Sequence, residues 1–469
     1  MMDKKTKIVC TIGPASESKE VLTKLVNEGM NIARLNFSHG SYEEHGNRIK
    51  LIREVSKETG KPIGILLDTK GPEIRLGDFE NGGCEFKEGD IVRIVKEEVL
   101  GNHERFTIRC PEVFNDVKAG DHILMDDGKM KVTIQEVSEG EMTVRVENPH
   151  FLKSRKGCNL PGIILSMPFI SEKDEADIRF GCRQDIDYIA ASFTRRKEDV
   201  LNLRKILIDE KKDAIQIIPK IENQEGFDNL REILDVSDGV MVARGDLGVD
   251  VSLELVPIYQ KRIIRVANEL GKPVITATHM LESMQTNPRP TRAEASDVAN
   301  AIMDGTDGIM LSGESAAGNY PVEAVQTMHK IAVAIEPMID YKQRLKDAVS
   351  SSERSLNDAI GAADTALAID IKCIIAFTQS GTTARRISRF RPVAPIIGVC
   401  FDEVTQRAML PIFGVDPYVS DIQNTKENDI DLARNIALMK GYKHGDYAIV
   451  VAGYPVGQGS TNMMRIIQL

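Results

Sequence analysis

The sequence has no run of 18 apolar residues, and its first stretch, MMDKKTKIVCTIG, carries only a short apolar segment after the lysines. Neither a membrane-spanning helix nor a secretory signal is expected from such a pattern. No Cys-x-x-Cys pair occurs, and the seven cysteines (Cys10, Cys84, Cys110, Cys158, Cys182, Cys373 and Cys400) are odd in number and scattered. They read as reduced core thiols of a cytoplasmic protein, not as a disulfide frame or a zinc site. An excess of positive charge is also missing: 60 Lys and Arg face 70 Asp and Glu, for a net charge of −10. The broad basic surface that non-specific nucleic-acid binding needs is therefore absent. There is no Gly-x-x-x-x-Gly-Lys-Ser/Thr loop, no Gly-x-Gly-x-x-Gly after a strand and no Gly-x-Ser-x-Gly elbow. The eight histidines show no metal-ligand spacing. Tryptophan is absent and aromatics are 5%, which says little about function.

What is present is an ordinary globular composition, 42% hydrophobic and 28% charged over 469 residues, a length suited to about three domains. Strand and helix patterns alternate at the start. The apolar run Lys7 to Ile12 is closed by Gly13-Pro14, and Val21, Leu22, Leu25 and Val26 share one helical face before Gly29. Ile32 to Phe37 is a second strand, Ser41 and Glu44 have capping-box spacing ahead of a helix to Gly60, and Ile63 to Leu67 is a third strand. From Gly71 to about Pro168 the texture changes to short alternating strands, at 90–95, 106–110, 130–134 and 141–146, separated by Gly-Asp and Asp-Gly turns. Strand–helix alternation resumes at Ser171, with strands at 188–193, 215–221, 239–243, 274–277 and 308–311. Three strands before the insert and five after it give the count of a (β/α)8 barrel. The predicted organisation is thus a barrel over residues 1–70 and 169–345, an inserted small β-barrel domain over 71–168 and a C-terminal α/β domain over 346–469. Ser350-Ser-Ser-Glu-Arg354 reads as a linker, and strands are predicted beyond it at 373–377, 396–399, 448–452 and 464–467.

Barrel enzymes carry their chemistry at the C-terminal ends of the strands. Those ends hold Arg34, Asn36, Ser38 and His39 after strand 2, and Asp68, Thr69 and Lys70 after strand 3. Strand 5 ends in Lys220 and Glu222, strand 6 in Arg244-Gly245-Asp246, strand 7 in Thr278-His279 and strand 8 in Ser312-Gly-Glu314. The opposite strand ends show no comparable collection in the sequence. Lys220 and Glu222 are two apart, so both face one side of their strand. Glu222 and Asp246 are hard oxygen ligands suited to Mg2+ or Mn2+. Arg34 and Lys220 could neutralise phosphoryl oxygens. The turn at Gly245 opens a short helix whose N–H groups suit a carboxylate or phosphate. Asn36, Ser38, Asp68 and Thr69 offer oxygens enough for a monovalent cation. Taken singly, each of these residues reads as a salt-bridged surface group or a turn former. Their collection at one face of one barrel does not.

Eight segments carry a resemblance: residues 7–15 (KIVCTIGPA), 31–40 (NIARLNFSHG), 67–76 (LDTKGPEIRL), 156–162 (KGCNLPG), 220–226 (KIENQEG), 242–249 (VARGDLGV), 275–302 (ITATHMLESMQTNPRPTRAEASDVANAI) and 307–315 (DGIMLSGES). They span nearly the whole barrel in order, and the chain resembles the pyruvate kinases. The resemblance implies a phosphotransferase moving the phosphoryl group of phosphoenolpyruvate to ADP, giving pyruvate and ATP as the last step of glycolysis. It implies that Arg34 clamps the transferring group and Lys220 stabilises its charge. Glu222 and Asp246 would hold Mg2+ or Mn2+, and N–H groups near Gly245 and Asp246 would take the substrate carboxylate. Thr278 would stand near the proton path, with a water relay as the proton source. Asn36, Ser38, Asp68 and Thr69 match the family's K+ site, and Glu73 matches the K+-dependent branch. Arg75, Lys156 and His39 match nucleotide-binding positions. The insert would close as a lid that excludes water.

The resemblance also implies a homotetramer and, in the C-terminal domain, a phosphate cradle at Thr378, Ser380, Gly381, Thr382 and Thr383. A phosphorylated sugar or nucleotide is the expected effector, and Ala433-Arg434 at the position for a second phosphate makes a monophosphate as good a fit as a bisphosphate. Two departures stand out. His279 replaces the family's usual Gln and reads first as a packing substitute, and neither the N-terminal helical segment of animal forms nor the extra C-terminal domain of some bacterial forms is expected. Two rivals remain at this stage. A metal-dependent lyase or aldolase for 2-oxo acids would use Glu222 and Asp246 without ADP, and a metabolite sensor would bind phosphoenolpyruvate without turnover.

Overall fold

Short strands that are apolar on both faces, each followed by an amphipathic helix, form a parallel sheet that must be covered on both sides. Closing the sheet on itself achieves this. In the computed structural model, which describes residues 4–350, 357–454 and 461–469, eight parallel strands form a closed barrel in sequential order. They are β1 (Lys7–Thr11), β2 (Ile32–Asn36), β3 (Gly64–Asp68), β4 (Tyr188–Ala191), β5 (Gln216–Ile221), β6 (Val240–Ala243), β7 (Val274–Ala277) and β8 (Gly308–Leu311). Every residue of β1, β3, β4, β6, β7 and β8 is buried. Local signals act as the sequence indicates. Ser41 and Glu44 make both bonds of the capping box, and Gly60 closes that helix with φ 65°. β4 stops two residues earlier than the apolar pattern suggests, because Phe193 takes a left-handed φ of 55° and turns the chain out of the sheet.

Between β3 and β4 stands the insert. Its main sheet has seven strands, at Ile74–Arg75, Gly157–Asn159, His122–Met125, Met130–Ser138, Glu141–Val146, Ile91–Val95 and Arg105–Thr107 in spatial order. A bridge between Leu76 and Ile108 joins its two outer edges. A ribbon of Gly83–Phe86 with His150–Lys153 sits beside it. The insert has its own apolar core around Phe79, Phe86 and Phe106. The C-terminal sheet runs β11-β10-β9-β12-β13, from β9 (Ile371–Phe377), β10 (Ile396–Cys400), β11 (Val415–Val419), β12 (Tyr447–Ala452) and β13 (Met463–Gln468). β11 escapes the sequence pattern because Pro417 interrupts it, and an edge strand is where proline is tolerated. The expected linker falls outside the described residues from Ser351 onward. All seven cysteines are free, and six are buried. No helix among the described residues is long and apolar enough to cross a membrane.

The floor of the barrel corrects one expectation. The N-terminal strand ends do carry a collection of charge, and the C-terminal domain seals it. Arg407 pairs with Asp187 at 2.6 Å, and Asp187 pairs in turn with Arg53 at 2.8 Å. Arg391 pairs with Asp307 at 3.0 Å, and Lys7 Nζ donates to the Val415 carbonyl at 2.5 Å. The Tyr188 hydroxyl donates to the Arg407 carbonyl, and Leu410 enters the apolar cluster inside the barrel beside Val9, Leu66 and Ile218. The partners in each charged pair lie far apart along the chain. No local pattern reveals them.

Candidate active site

At the opposite end of the barrel the side chains converge. Arg34, on β2, donates from Nε to Asp68 Oδ2 at 2.5 Å and from Nη1 to the Thr11 hydroxyl at 2.8 Å. Lys220, on β5, is buried and lies 3.2 Å from Asp68 Oδ1 and 2.9 Å from Glu222 Oε1. Burial alone would lower the Lys220 pKa, but the Asp68 and Glu222 carboxylates raise it above the ordinary lysine value. Burial likewise works to raise Asp68, and Arg34 with Lys220 overcomes it and holds the carboxyl below its usual range. A buried cation at the C-terminal strand ends is thus kept charged.

Glu222 behaves differently. Burial pushes its carboxyl above the ordinary range, with Lys220 opposing and Asp246 adding to the shift. Its Oε2 accepts the Phe193 N–H at 2.5 Å, and its buried Oε1 pairs with the Lys220 ammonium at 2.9 Å. A buried carboxylate beside a second acid, Asp246, is a hard oxygen donor set that fits a divalent cation. Asp246 lines the same cavity, about 430 Å3 between barrel and insert. Among the described residues no three or more His, Cys, Asp or Glu converge on one point. A metal held at Glu222 and Asp246 would thus take its other ligands from substrate and water, as hard divalent ions commonly do.

A second cavity of about 710 Å3 adjoins Asp246 on its other side, with Gly245 and His279 on the barrel and His122, Asp127 and Lys131 on the insert. The Gly245 N–H donates to the Thr278 hydroxyl at 2.8 Å. That hydroxyl donates onward to the Ala277 carbonyl at 2.7 Å. Thr278 and His279 both have left-handed backbone.

The cation-site candidates share one rim. Asn36 and Asp68 are register partners at the ends of β2 and β3, and Ser38 N donates to Asn36 Oδ1 at 3.1 Å. Thr69 Oγ1 accepts the Ser192 N–H at 3.1 Å and lies 3.3 Å from the Ala190 carbonyl. Arg75 lies on an insert strand and Lys156 directly precedes the strand paired with it, but both are engaged. Arg75 pairs with Glu73 at 2.5 Å and Lys156 with Asp126 at 2.8 Å. His39 is exposed on the barrel rim, and its carbonyl accepts the buried His45 ring.

Ser192 escaped the sequence reading. It follows β4, one of the two strand ends to which no candidate was assigned. Its Oγ accepts from Lys220 Nζ at 2.9 Å and lies 2.6 Å from the Thr69 carbonyl and 3.1 Å from Asp68 Oδ1. Position at a strand end was the available signal, and serine is too common in turns to draw attention.

In the C-terminal domain, Thr378 is buried after β9, Ser380 and Thr382 bond through their hydroxyls at 2.9 Å, and Gly381 is left-handed at φ 78° before the helix Thr382–Ser388. Thr383 reaches Thr461 at 3.2 Å. Ala433 is fully buried in the helix Asp429–Met439, and Arg434 is paired with Asp431 at 2.9 Å.

With this geometry in hand, the relatives are informative. The family model "Pyruvate kinase, barrel domain" matches residues 3–325, and "Pyruvate kinase, alpha/beta domain" matches 359–467. A pyruvate kinase of Geobacillus stearothermophilus is 52% identical over 99% of this chain and 80% of its own length. One from Staphylococcus epidermidis is 53% identical with the same coverage. The crystal structure of a pyruvate kinase from Cryptosporidium parvum superposes with a TM-score of 0.96 at 38% identity, over 99% of this chain and 96% of that one. Likeness at this level runs through barrel, insert and C-terminal sheet alike, and the chain accordingly belongs to the pyruvate kinase family of phosphotransferases.

Proposed function

We propose that the cleft between barrel and insert transfers the phosphoryl group of phosphoenolpyruvate to ADP, with Mg2+ or Mn2+ and K+ as cofactors, as the last step of glycolysis in the cytoplasm. The observation that carries this reading is Lys220, a buried cation kept charged by Asp68 and Glu222 at the mouth of the barrel. A divalent ion at Glu222 and Asp246 would supply Lewis-acid stabilisation of the enolate and phosphoryl oxygens. Arg34 and Lys220, brought together through Asp68, stabilise the charge that spreads over the phosphoryl oxygens in the transition state. The substrate carboxylate binds at Gly245 and Asp246, displacing the Thr278 hydroxyl from the Gly245 N–H. The released hydroxyl then orders the water that protonates enolpyruvate at C3. K+ sits among Asn36, Ser38, Asp68 and Thr69, and Glu73 leaves the site without a built-in cation to replace it.

ADP binds against Arg75, Lys156 and His39 when the insert, residues 71–168, swings down as a lid. Salt bridges that occupy Arg75 and Lys156 are exchanged for phosphate contacts in that closure. A phosphorylated effector binds at Thr378, Ser380, Gly381, Thr382 and Thr383, and the buried Ala433 and paired Arg434 favour a monophosphate. The assembly is a homotetramer. The lyase and sensor readings have no observation of their own to favour them.

The test is pyruvate formation from phosphoenolpyruvate, read through lactate dehydrogenase, with ADP, Mg2+ or K+ left out in turn. The same plate holds ribose 5-phosphate, AMP and fructose 1,6-bisphosphate. Turnover that requires every component is expected. Pyruvate formation without ADP would overturn the reading.

A further inference from the structure

Two consecutive non-glycine residues with left-handed backbone are costly, and they persist only where their surroundings impose them. Thr278 and His279, at φ 64° and 52°, are such a pair. The side chain that grips this turn is Arg244, which has no role in the reaction as described above. Arg244 opens the helix Arg244–Asp250 after β6, and its side chain is only 9% exposed. Its Nη2 donates to the Thr278 carbonyl at 2.6 Å and its Nε to the Ala277 carbonyl at 3.2 Å. Nη1 points the other way, to Asp297 at 2.7 Å and to the Gln260 side chain at 3.3 Å. Met280 Sδ completes the surroundings.

One planar fork therefore ties the strained turn to two helices of the barrel wall, Val256–Leu270 and Arg292–Asp304. A lysine has a single ammonium and cannot span the same four oxygens. The Ala277 carbonyl that Arg244 grips also accepts the Thr278 hydroxyl proton, and Gly245 N donates to that same hydroxyl. The guanidinium thus fixes both the backbone of Thr278 and the acceptor that orients its hydroxyl.

We propose that Arg244 is a positioning residue for the proton-transfer half of the reaction, acting through Thr278. The inference rests on the reading of Thr278 as part of the proton path. In that step the C2–C3 π electrons of the enolate form a C–H bond with a proton from the water held by Thr278. The C2–O bond becomes the carbonyl of pyruvate, and the hydroxide left behind is reprotonated from solvent.

A double-mutant cycle on the full chain tests it, with Arg244→Met, Thr278→Ala and the pair. Each is assayed for pyruvate formation and, by NMR, for exchange of the pyruvate methyl protons into D2O with Mg2+, K+ and inorganic phosphate. R244M is expected to slow exchange and kcat at least tenfold with the KM for phosphoenolpyruvate within threefold of wild type. The double variant is expected within twofold of the slower single variant, because both act on one hydroxyl. Should R244M fail to fold, Arg244→Lys enters the same cycle, and the same non-additive loss is expected. A fast R244M beside a slow T278A, or losses that multiply, overturns the proposal alone. A T278A that exchanges at the wild-type rate overturns the Thr278 reading, and the proposal with it.

Discussion

Ser192→Ala is the substitution that weighs most on the charge pocket for the smallest change in volume. The Ser192 hydroxyl receives a hydrogen bond from Lys220 at 2.9 Å and satisfies the Thr69 carbonyl at 2.6 Å. Its removal leaves Lys220 held by Asp68 and Glu222 alone, at 3.2 and 2.9 Å, so the ammonium slides toward the nearer carboxylate and away from the phosphoryl oxygens. A hydrogen bond to a charged group is worth about 1.5–3 kcal/mol. If that contribution is expressed in the transition state, kcat falls by about 10- to 150-fold. The KM for phosphoenolpyruvate should change far less, because the bond orders the lysine and does not touch substrate. The orphaned Thr69 carbonyl adds a stability loss of about 1–3 kcal/mol. The assay is the lactate dehydrogenase-coupled rate at saturating substrates, together with a denaturant titration. An S192A enzyme with kcat within twofold of wild type would refute the reasoning, because Lys220 would then hold its position without the serine.

Other expectations follow from the same geometry. Replacing K+ by tetramethylammonium should abolish most activity, and Glu73→Lys should restore a K+-independent share; equal rates with and without K+ would contradict the assignment of Asn36, Ser38, Asp68 and Thr69. Burial lowers the Lys7 pKa from 10.5 to about 7. The charged lysine therefore costs stability below pH 7, and the cost is relieved as pH rises from about 7 to about 10.5, at most on the order of 5 kcal/mol in all. The stability of Lys7→Met relative to wild type should accordingly fall over that range, and a difference that is flat with pH would show that Lys7 stays charged when folded.

The catalytic face was legible because a barrel brings all eight C-terminal strand ends to one rim, so position in sequence stands in for position in space. Arg34, Asp68, Lys220 and Glu222 meet there as the pattern indicated. Four features were not legible, each for a different reason. Ser192 works through contacts to residues on two other strands, and nothing in its own neighbourhood marks it. The Gly245 N–H, free by the logic of a helix start, is taken by a threonine 33 residues away. The barrel floor joins Asp187 to Arg407 and Asp307 to Arg391 across domains, so its partners are related by the fold and not by spacing. β11 was hidden by Pro417, a residue that argues against a strand everywhere except at an edge.

In the proposed reaction Lys220 carries the charge of the phosphoryl group in flight. Lys220→Met keeps the length and removes the ammonium. The decisive measurement is its rate of pyruvate formation from phosphoenolpyruvate and ADP, with Mg2+ and K+ and with phosphoenolpyruvate binding followed separately. K220M is expected still to bind phosphoenolpyruvate and to lose at least three orders of magnitude in turnover, the scale set by removing a cation that stabilises phosphoryl transfer. Wild-type turnover in K220M would show that Lys220 does not carry that charge.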